Sequence, residues 1–230
     1  LFVVIDDDTQ FKQPELPDVL PVFPLGGVLL LPHGHLPLNI FEPRYLSMVE
    51  DALGAGRMIG MVQPFSDLHS GTSIPLADDA DTYRVGCAGR IVSFDETPDG
   101  GMMIALRGVC RFGIVEELDM VHGYRRVRAD YGPYPQDATE DTADIADRSK
   151  LLTTVRRYFS LKDIEVDWDA VEDADDEALV TSLSMICPFE PSEKQALLVA
   201  PGVYERGELL TSLLEMALLG DTGATGHARH

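Results

Sequence analysis

The pattern of the sequence changes about two-thirds of the way along its 230 residues. From Leu20 to Tyr131, short runs rich in Val, Ile and Gly alternate with turn signals, which is typical of β-strands. After Gly132-Pro-Tyr-Pro135, apolar residues recur at helical spacing. Strands followed by helices predict an α+β fold in two parts. We expect a strand subdomain over residues 18–131, a helical subdomain over residues 137–219 and a disordered tail over residues 220–230.

Several short strands and one helix are predicted in the first part. The turn Thr97-Pro-Asp-Gly-Gly101 joins two of the strands in a hairpin. Pro43 suits the first turn of a helix and Gly54 suits its end, which places a helix over residues 43–53. One helix inserted among short strands favours a closed or half-closed β-barrel. The predicted strands cover residues 20–25, 36–41, 57–62, 85–95, 102–106, 110–115 and 124–131.

The second part is predicted to be helical over residues 137–159, 175–187, 193–200 and 203–219. Ser192 and Gln195 have the spacing of a capping box, which places the start of the third helix. Residues 163–176 are predicted to form a loop. Between residues 137 and 177 there are 14 acidic residues against 5 basic ones, and we assign them to solvated helix faces and to this loop.

The balance of charge disfavours some classes of partner. The chain has 18 Lys and Arg against 39 Asp and Glu, a formal net charge of -21. An anionic surface repels nucleic-acid backbones and anionic membranes. No apolar run has the length of a membrane helix, and the first five residues are too short for a signal peptide. The three cysteines have no CxxC spacing, so we predict a reduced, cytoplasmic protein.

Common catalytic motifs are missing from the sequence. It contains no GxxxxGK[ST], no GxSxG and no HExxH. His33 and His35 have a spacing that can share a metal, but no third ligand can be named, and an exposed turn is the alternative. Cys110 and Cys187 are interpreted as small core residues rather than as nucleophiles. We therefore predict no cofactor, no metal site and no enzymatic activity.

Two neighbouring segments carry a family resemblance. Leu20-Pro-Val-Phe-Pro-Leu-Gly-Gly-Val-Leu-Leu-Leu-Pro32 and Leu36-Pro-Leu-Asn-Ile-Phe-Glu-Pro-Arg-Tyr45 closely resemble the opening of the N-terminal, substrate-binding domain of Lon proteases. The resemblance extends over residues 18–219. It implies a PUA-like β-barrel with one inserted helix, followed by a C-terminal helical bundle. It also implies a substrate-recognition module, similar to the stand-alone bacterial version that lacks the ATPase and the Ser-Lys peptidase domains.

The FEPRY motif, residues 41–45, supplies most of the candidate binding residues. Glu42 favours the positive end of the following helix, Arg44 is expected to pair with a carboxylate of the barrel, and Tyr45 has an apolar body to bury. The motif either locks the helix to the barrel or recognises a ligand. Met58, Met61, Met102 and Met103 are candidates for an adaptable apolar surface, with core filling as the alternative. The predicted substrate-binding residues are Glu42, Arg44, Tyr45, Met61 and Met103.

Three functions compete. The leading hypothesis is a non-catalytic module that binds exposed or unfolded polypeptide segments, alone or with a protease or chaperone. It would use an apolar groove between barrel and bundle, or an open strand edge. The second is RNA binding by Arg107, Arg111, Arg125, Arg126 and Arg128, although nucleic acid is disfavoured by the net charge. The third is a small-ligand site or an uncharacterised enzyme in the cleft between the two parts.

Overall fold

The computed structural model describes residues 16–65, 81–139 and 141–224. Within these ranges the strand part of the chain contains the strands β1 to β6 and helix α1: β1 Val19–Pro24, β2 His35–Ile40, α1 Pro43–Gly54, β3 Met58–Val62, β4 Val85–Glu96, β5 Met102–Val121 and β6 Tyr124–Asp130. A short 3-10 turn, Pro135–Ala138, leads to the helical part. That part contains α2 Arg148–Lys162, α3 Trp168–Asp173, α4 Asp176–Ile186, α5 Pro191–Val199 and α6 Val203–Ala224.

The strands form one mixed sheet in the order β2-β5-β4-β3-β1-β6, and β5 pairs with β6 as well. The ladder that leads from β5 through β4, β3, β1 and β6 therefore returns to β5. The pair β1 and β3 is parallel, and the other pairs are antiparallel. Among the described strands β2 pairs with β5 alone, so it forms an edge.

The strand β5 is longer than the sequence predicts. The two strands expected over residues 102–106 and 110–115 are parts of one 20-residue strand. Gly108 lies between them. Its backbone continues the ladder, because its N–H donates to the carbonyl of Gly34 at 2.8 Å. A side chain at Gly108 would collide with the carbonyl oxygen of Leu31, so glycine is needed for this close approach.

Helix α1 has the bounds that its sequence signals predict, to within one residue. Pro43 occupies its first turn, and Glu42 before it has extended backbone angles. Tyr45, Met48, Val49 and Ala52 are buried, and their spacing of three and four residues puts them on one face. This face packs against the strand sheet.

Three predictions for the helical part are wrong: a helix start, a loop and a capping box. The helix expected over residues 137–159 begins only at Arg148, where the Asp147 side chain accepts a hydrogen bond from the N–H of Lys150 at 2.8 Å. The loop expected over residues 163–176 contains α3, which Asp167 caps. Helix α5 is capped by Glu190 and Glu193 rather than by Ser192 and Gln195.

Helix α6 extends to Ala224 and so includes the first residues of the tail predicted over residues 220–230. Residues 225–230 of that tail lie outside the described ranges. No helix that the structure describes is both long and apolar enough to cross a membrane.

The main apolar core extends through both parts of the chain. Phe23 and Leu106 from the strands belong to the same cluster as Leu183, Phe189 and Leu214 from the helices. A smaller cluster, which includes Leu20, Phe112 and Val127, lies among the strands alone. Since burial of each large apolar side chain contributes about 1.5–3 kcal/mol, the shared core holds the helices firmly against the sheet.

Candidate functional site

The FEPRY motif has a local ion pair and a buried ring. Nε of Arg44 donates to Oε2 of Glu42 at 3.0 Å, so one of its partners is a carboxylate of the same motif. The Arg44 guanidinium lies 4.9 Å from the centre of the Tyr45 ring. Tyr45 is only 3% exposed, and its ring centre is 4.2 Å from that of Phe23. Burial raises the pKa of Tyr45, although Arg44 acts in the opposite direction. Tyr45 therefore anchors the motif, as predicted for its apolar body.

Phe41, the first residue of the motif, lies on the surface. Its side chain is 64% exposed, although it directly follows strand β2. In the register of β2 with β5, Ile40 pairs with Met102 and Asn39 pairs with Met103. Met102 and Ile40 are buried, whereas Met103 is 48% exposed. Phe41, directly after the edge strand β2, and Met103, on the adjacent strand β5, thus lie near the same end of the sheet. We call Phe41, Met103 and β2 the edge surface.

A buried ion pair joins the strand part to the helical part. Arg111 of β5 is 2% exposed, and its Nη2 and Nε donate to the carboxylate of Asp137 at 2.7 and 2.9 Å. The backbone N–H of Arg111 donates to the same carboxylate at 2.8 Å. The Arg111 side chain also donates to the carbonyl oxygens of Leu198, near the end of α5, and of Ala200 and Pro201 in the turn that follows. All five N–H groups of this guanidinium have acceptors.

A second buried arginine reaches the same turn. Arg206 of α6 is 6% exposed, and its Nε donates to the carbonyl of Leu197 at 3.0 Å. Its Nη2 lies 3.5 Å from the carbonyl of Ala200, which Arg111 also contacts. Burial, with the neighbouring Arg111 as a further cause, lowers the pKa of Arg206 to about 10. The turn between α5 and α6 is therefore held by guanidinium groups from both parts of the chain.

A cleft of about 520 Å³ opens above this turn, between the strand part and the helices. The prediction of an apolar groove between the two parts is wrong for this cleft, because its lining consists largely of charged and polar side chains. His33 lies at its edge, and its Nδ1 is 2.8 Å from Oε1 of Glu177 at the start of α4. The charged groups around the cleft, apart from His33, are Arg111, Asp137, Asp141, Glu177, Glu205 and Arg206.

Comparison with known proteins decides the family. A family model described as the ATP-dependent protease La (LON) substrate-binding domain matches residues 19–216. The chain belongs to this family. The Lon protease of Heliobacterium modesticaldum is 28% identical to this LON substrate-binding domain over 208 residues, which cover 87% of the chain and 24% of that relative. The Lon protease of Syntrophus aciditrophicus is 26% identical over 212 residues, or 89% of the chain and 22% of the relative. The chain thus spans about a quarter of the length of these two relatives.

Solved structures show the same fold. A Lon N-terminal domain protein from Xanthomonas campestris has a TM-score of 0.54 and 22% identity, covering 84% of this chain and 97% of that structure. The N-terminal domain of a Mycobacterium avium complex Lon protease has a TM-score of 0.58 and 17% identity, with 86% and 98% covered. The family model is that of a substrate-binding domain, and it covers residues 19–216 of the 230.

The structure places the four candidate methionines of this LON substrate-binding domain in two environments. Met58 and Met61 are each 3% exposed and Met102 is 7% exposed, so these three fill the core. Met61 lies in β3 between Phe23 of β1 and Cys87 of β4. Its predicted place in a binding surface does not agree with this burial, whereas its alternative role in the core does. Of the four, only Met103 reaches the surface.

The arginines considered for RNA binding do not form one basic face. Arg111 is buried against Asp137. Arg125 pairs with Glu117 at 2.5 Å, and Arg128 pairs with Glu116 at 2.7 Å. Arg126 donates to the backbone carbonyl of Asp119. Because carboxylates neutralise three of these side chains, the surface offers little to a phosphate backbone.

The candidate metal and thiol groups have structural roles in this LON substrate-binding domain. His33 is half-buried against Glu177, whereas His35, at the start of β2, is exposed. In the described ranges no three His, Cys, Asp or Glu side chains are placed to hold a metal ion. The cysteines are free and buried, and burial raises the pKa of Cys110 and of Cys187 to about 12. These thiols stay protonated near neutral pH, which does not suit a nucleophile.

The sequence reasoning missed Phe41 and Arg206. Phe41 belongs to the FEPRY motif, but nothing in the motif indicates that its aromatic ring is exposed. Arg206 lies within the segment Arg206-Gly-Glu-Leu-Leu210, which resembles the family, yet the spacing of a helix predicts a surface residue as readily as a buried one. At Arg206 and at Arg111 the sequence does not reveal that the charged side chain is buried.

Proposed function

We propose that this chain is a substrate-recognition module that binds exposed or unfolded polypeptide segments at the edge surface of Phe41, Met103 and β2. The observation that carries the proposal is the 64% exposure of Phe41 beside an edge strand. Exposed aromatic and methionine side chains are typical of adaptable binding surfaces. An edge strand adds main-chain hydrogen bonds for an extended peptide, whatever its sequence.

Strand β2 has features of an edge strand that can pair with some extended segments and not with others. It contains Pro37, which has no N–H and which is confined to edge positions in sheets. Among the described residues its outer side has no strand neighbour. Phe41 and Met103 supply the apolar contacts that an edge strand alone does not. An extended segment that pairs with β2 and buries an apolar side chain against Phe41 fits this arrangement.

The charge around the edge surface favours basic flanking residues in the bound segment. On β4, Asp95 pairs with Met103 and Glu96 pairs with Met102. Glu42 follows Phe41 in the sequence, and the chain as a whole has a net charge of -21. Because exposed charges are screened by salt, binding should weaken as ionic strength rises. Segments rich in Lys or Arg beside apolar residues are the expected substrates.

The ring of strand pairings supports the PUA-like barrel that the family resemblance implies. We interpret the ladder from β5 through β4, β3, β1 and β6 back to β5 as this barrel, with α1 inserted between β2 and β3. The barrel presents β2 on its outside as an added strand. A protease or chaperone that processes the bound segment is the partner that this role would need.

Fluorescence anisotropy tests the proposal directly. A labelled, permanently unfolded protein is titrated with the whole chain at low and at moderate salt. The folded form of the same protein and a single-stranded RNA serve as controls. Saturable binding to the unfolded protein alone, weaker at moderate salt, is the expected result. Equal binding to the folded form, or tighter binding to RNA, would contradict the proposal.

A further inference from the structure

The two buried arginines of the cleft differ in how well their donors are satisfied. Arg111 has an acceptor for each of its five N–H groups and a carboxylate as its partner. Arg206 donates to Leu197 at 3.0 Å and makes a long contact of 3.5 Å with Ala200. In the part of the chain that the structure describes, its other N–H groups meet no acceptor and no carboxylate pairs with it.

A guanidinium with unsatisfied donors is costly to bury. Arg206 is 6% exposed; the neighbouring Arg111 repels its charge, whereas Asp137 and Asp141 act in the opposite direction. A buried charge is normally paired or hydrogen-bonded throughout. Arg206 also lines the cleft of about 520 Å³, a size within the range of roughly 300–1,000 Å³ that small-molecule sites have. Its free donors therefore have room for an acceptor from outside, and a carboxylate matches a guanidinium in charge and shape.

Carboxylates of Asp141 and Glu205 line the same cleft near Gly202. A Cβ atom built on Gly202 would lie 2.9 Å from Oδ2 of Asp141 and 3.4 Å from Oε2 of Glu205. Asp141 already accepts the N–H of Val203 at 2.8 Å, so the first turn of α6 is capped by the protein itself. Glu205 has no hydrogen-bond or ion-pair partner among the described residues. A lone anion would therefore meet repulsion from these carboxylates, and a ligand with charges of both signs would not.

We propose that the cleft binds a small zwitterion of the α-amino-acid class, with its carboxylate on Arg206 and its ammonium group facing Asp141 and Glu205. Positive and negative groups of the protein meet around the turn from Ala200 to Gly202. An α-amino acid carries an ammonium group and a carboxylate group on the same carbon atom, so one small molecule offers a partner to the positive and to the negative groups of this cleft. The site is separate from the edge surface of Phe41 and Met103, and the inference does not depend on the proposed function.

Calorimetric titration with three simple probes tests the charge pattern. Glycine carries both groups, acetate carries the carboxylate alone and methylammonium carries the ammonium group alone. Glycine is expected to bind at least about tenfold more tightly than either of the others, since each charged hydrogen bond contributes a factor of this order. Equal affinity for glycine and acetate would overturn the proposal, and so would no detectable binding of glycine.

Variants locate the site. Arg206→Lys keeps the charge but loses the planar fork, and it should weaken glycine binding by about tenfold. If Arg206→Lys fails to fold, Glu205→Gln decides, because this side chain is exposed. Glu205→Gln should weaken glycine binding several-fold while the melting temperature stays close to that of the parent. Glu208→Gln, one turn further along α6 and also exposed, is the matched control and should bind glycine like the parent. Equal effects of the two Gln variants would overturn the proposal.

Discussion

Arg111 on β5 and Asp137 in the turn after β6 form a buried ion pair, 2% and 4% exposed, at the point where the strands meet the helices. The pair is bidentate, and the same guanidinium holds the carbonyl oxygens of Ala200 and Pro201. One side chain therefore fixes the position of the turn before α6 relative to the sheet.

The first prediction concerns this ion pair. Asp137→Ala leaves Arg111 as an uncompensated buried charge, so the free energy of unfolding should fall by about 3–5 kcal/mol. Urea unfolding followed by circular dichroism measures the change. The control is Glu116→Ala, which removes an exposed partner of Arg128 and should change the stability little. Similar small effects of both substitutions would contradict the role assigned to Asp137.

The second prediction concerns the close approach at Gly108. In Gly108→Ala the new methyl group meets the backbone carbonyl of Leu31, which cannot move without disturbing the ladder to Gly34. We expect a loss of about 2–3 kcal/mol in the free energy of unfolding. Gly113→Ala on the same strand is the matched control, because its methyl group would lie 3.8 Å from the nearest described atom, an ordinary contact. A loss as large in Gly113→Ala would show that the strand rejects any side chain.

The third prediction concerns the pH dependence that Lys194 confers. Its ammonium group is buried, it donates to the carbonyl of Met185 at 2.9 Å, and burial lowers its pKa from 10.5 to about 8. Between these two values the unfolded chain binds more protons than the native one, so this group makes the native state more stable as pH rises. Below about pH 8 Lys194 is protonated in the native and in the unfolded state, so the full cost of burying its charge lowers the free energy of unfolding.

Lys194→Met removes this contribution. Its free energy of unfolding should exceed that of the parent by about 1–3 kcal/mol near pH 7, and the difference should shrink between about pH 8 and pH 10. Thermal and urea unfolding at a series of pH values measures it. Lys150→Met, at an exposed site, should show no such trend relative to the parent. A constant difference between Lys194→Met and the parent across this range would mean that the amine keeps its ordinary pKa.

The fourth prediction separates the structural role of Arg44 from a binding role. The Arg44 and Glu42 side chains are 24% and 27% exposed, so their pair contributes less than about 1 kcal/mol. Arg44→Ala should therefore fold with a slightly lower melting temperature and should bind the unfolded client with an affinity close to that of the parent. Loss of binding with an unchanged melting temperature would assign Arg44 to recognition instead.

Local patterns in the sequence were sufficient for part of the fold. Pro43 and Gly54 mark helix α1 because helix ends depend on the residues at those ends, and the Thr97 to Gly101 turn marks the hairpin of β4 and β5 for the same reason. The role of Gly108 could not be predicted from local patterns, since it depends on Leu31, which is distant in sequence. Helix α3 was missed because its acidic sequence looks like a solvated loop, although Asp167 caps it.

The candidate site was harder to predict, because burial is a property of the whole fold. Arg111 and Arg128 look alike in the sequence, yet one is buried against Asp137 and the other is half-exposed. The acceptors of Arg111 on the turn before α6 lie 87 to 90 residues away in the chain. Likewise, Met102 is buried in the core and its neighbour Met103 is on the surface, and only the strand register distinguishes the two.

The most direct test of the account compares two matched methionines in the anisotropy titration with an unfolded client. Met103 and Met120 lie on the same strand and are 48% and 53% exposed, but only Met103 belongs to the edge surface. The double substitution Phe41→Ser and Met103→Ser should weaken binding by about tenfold or more, since a few apolar contacts carry most of the energy of such interfaces. Met120→Ser should bind like the parent. Equal binding by all three proteins would contradict the assignment of substrate recognition to this surface.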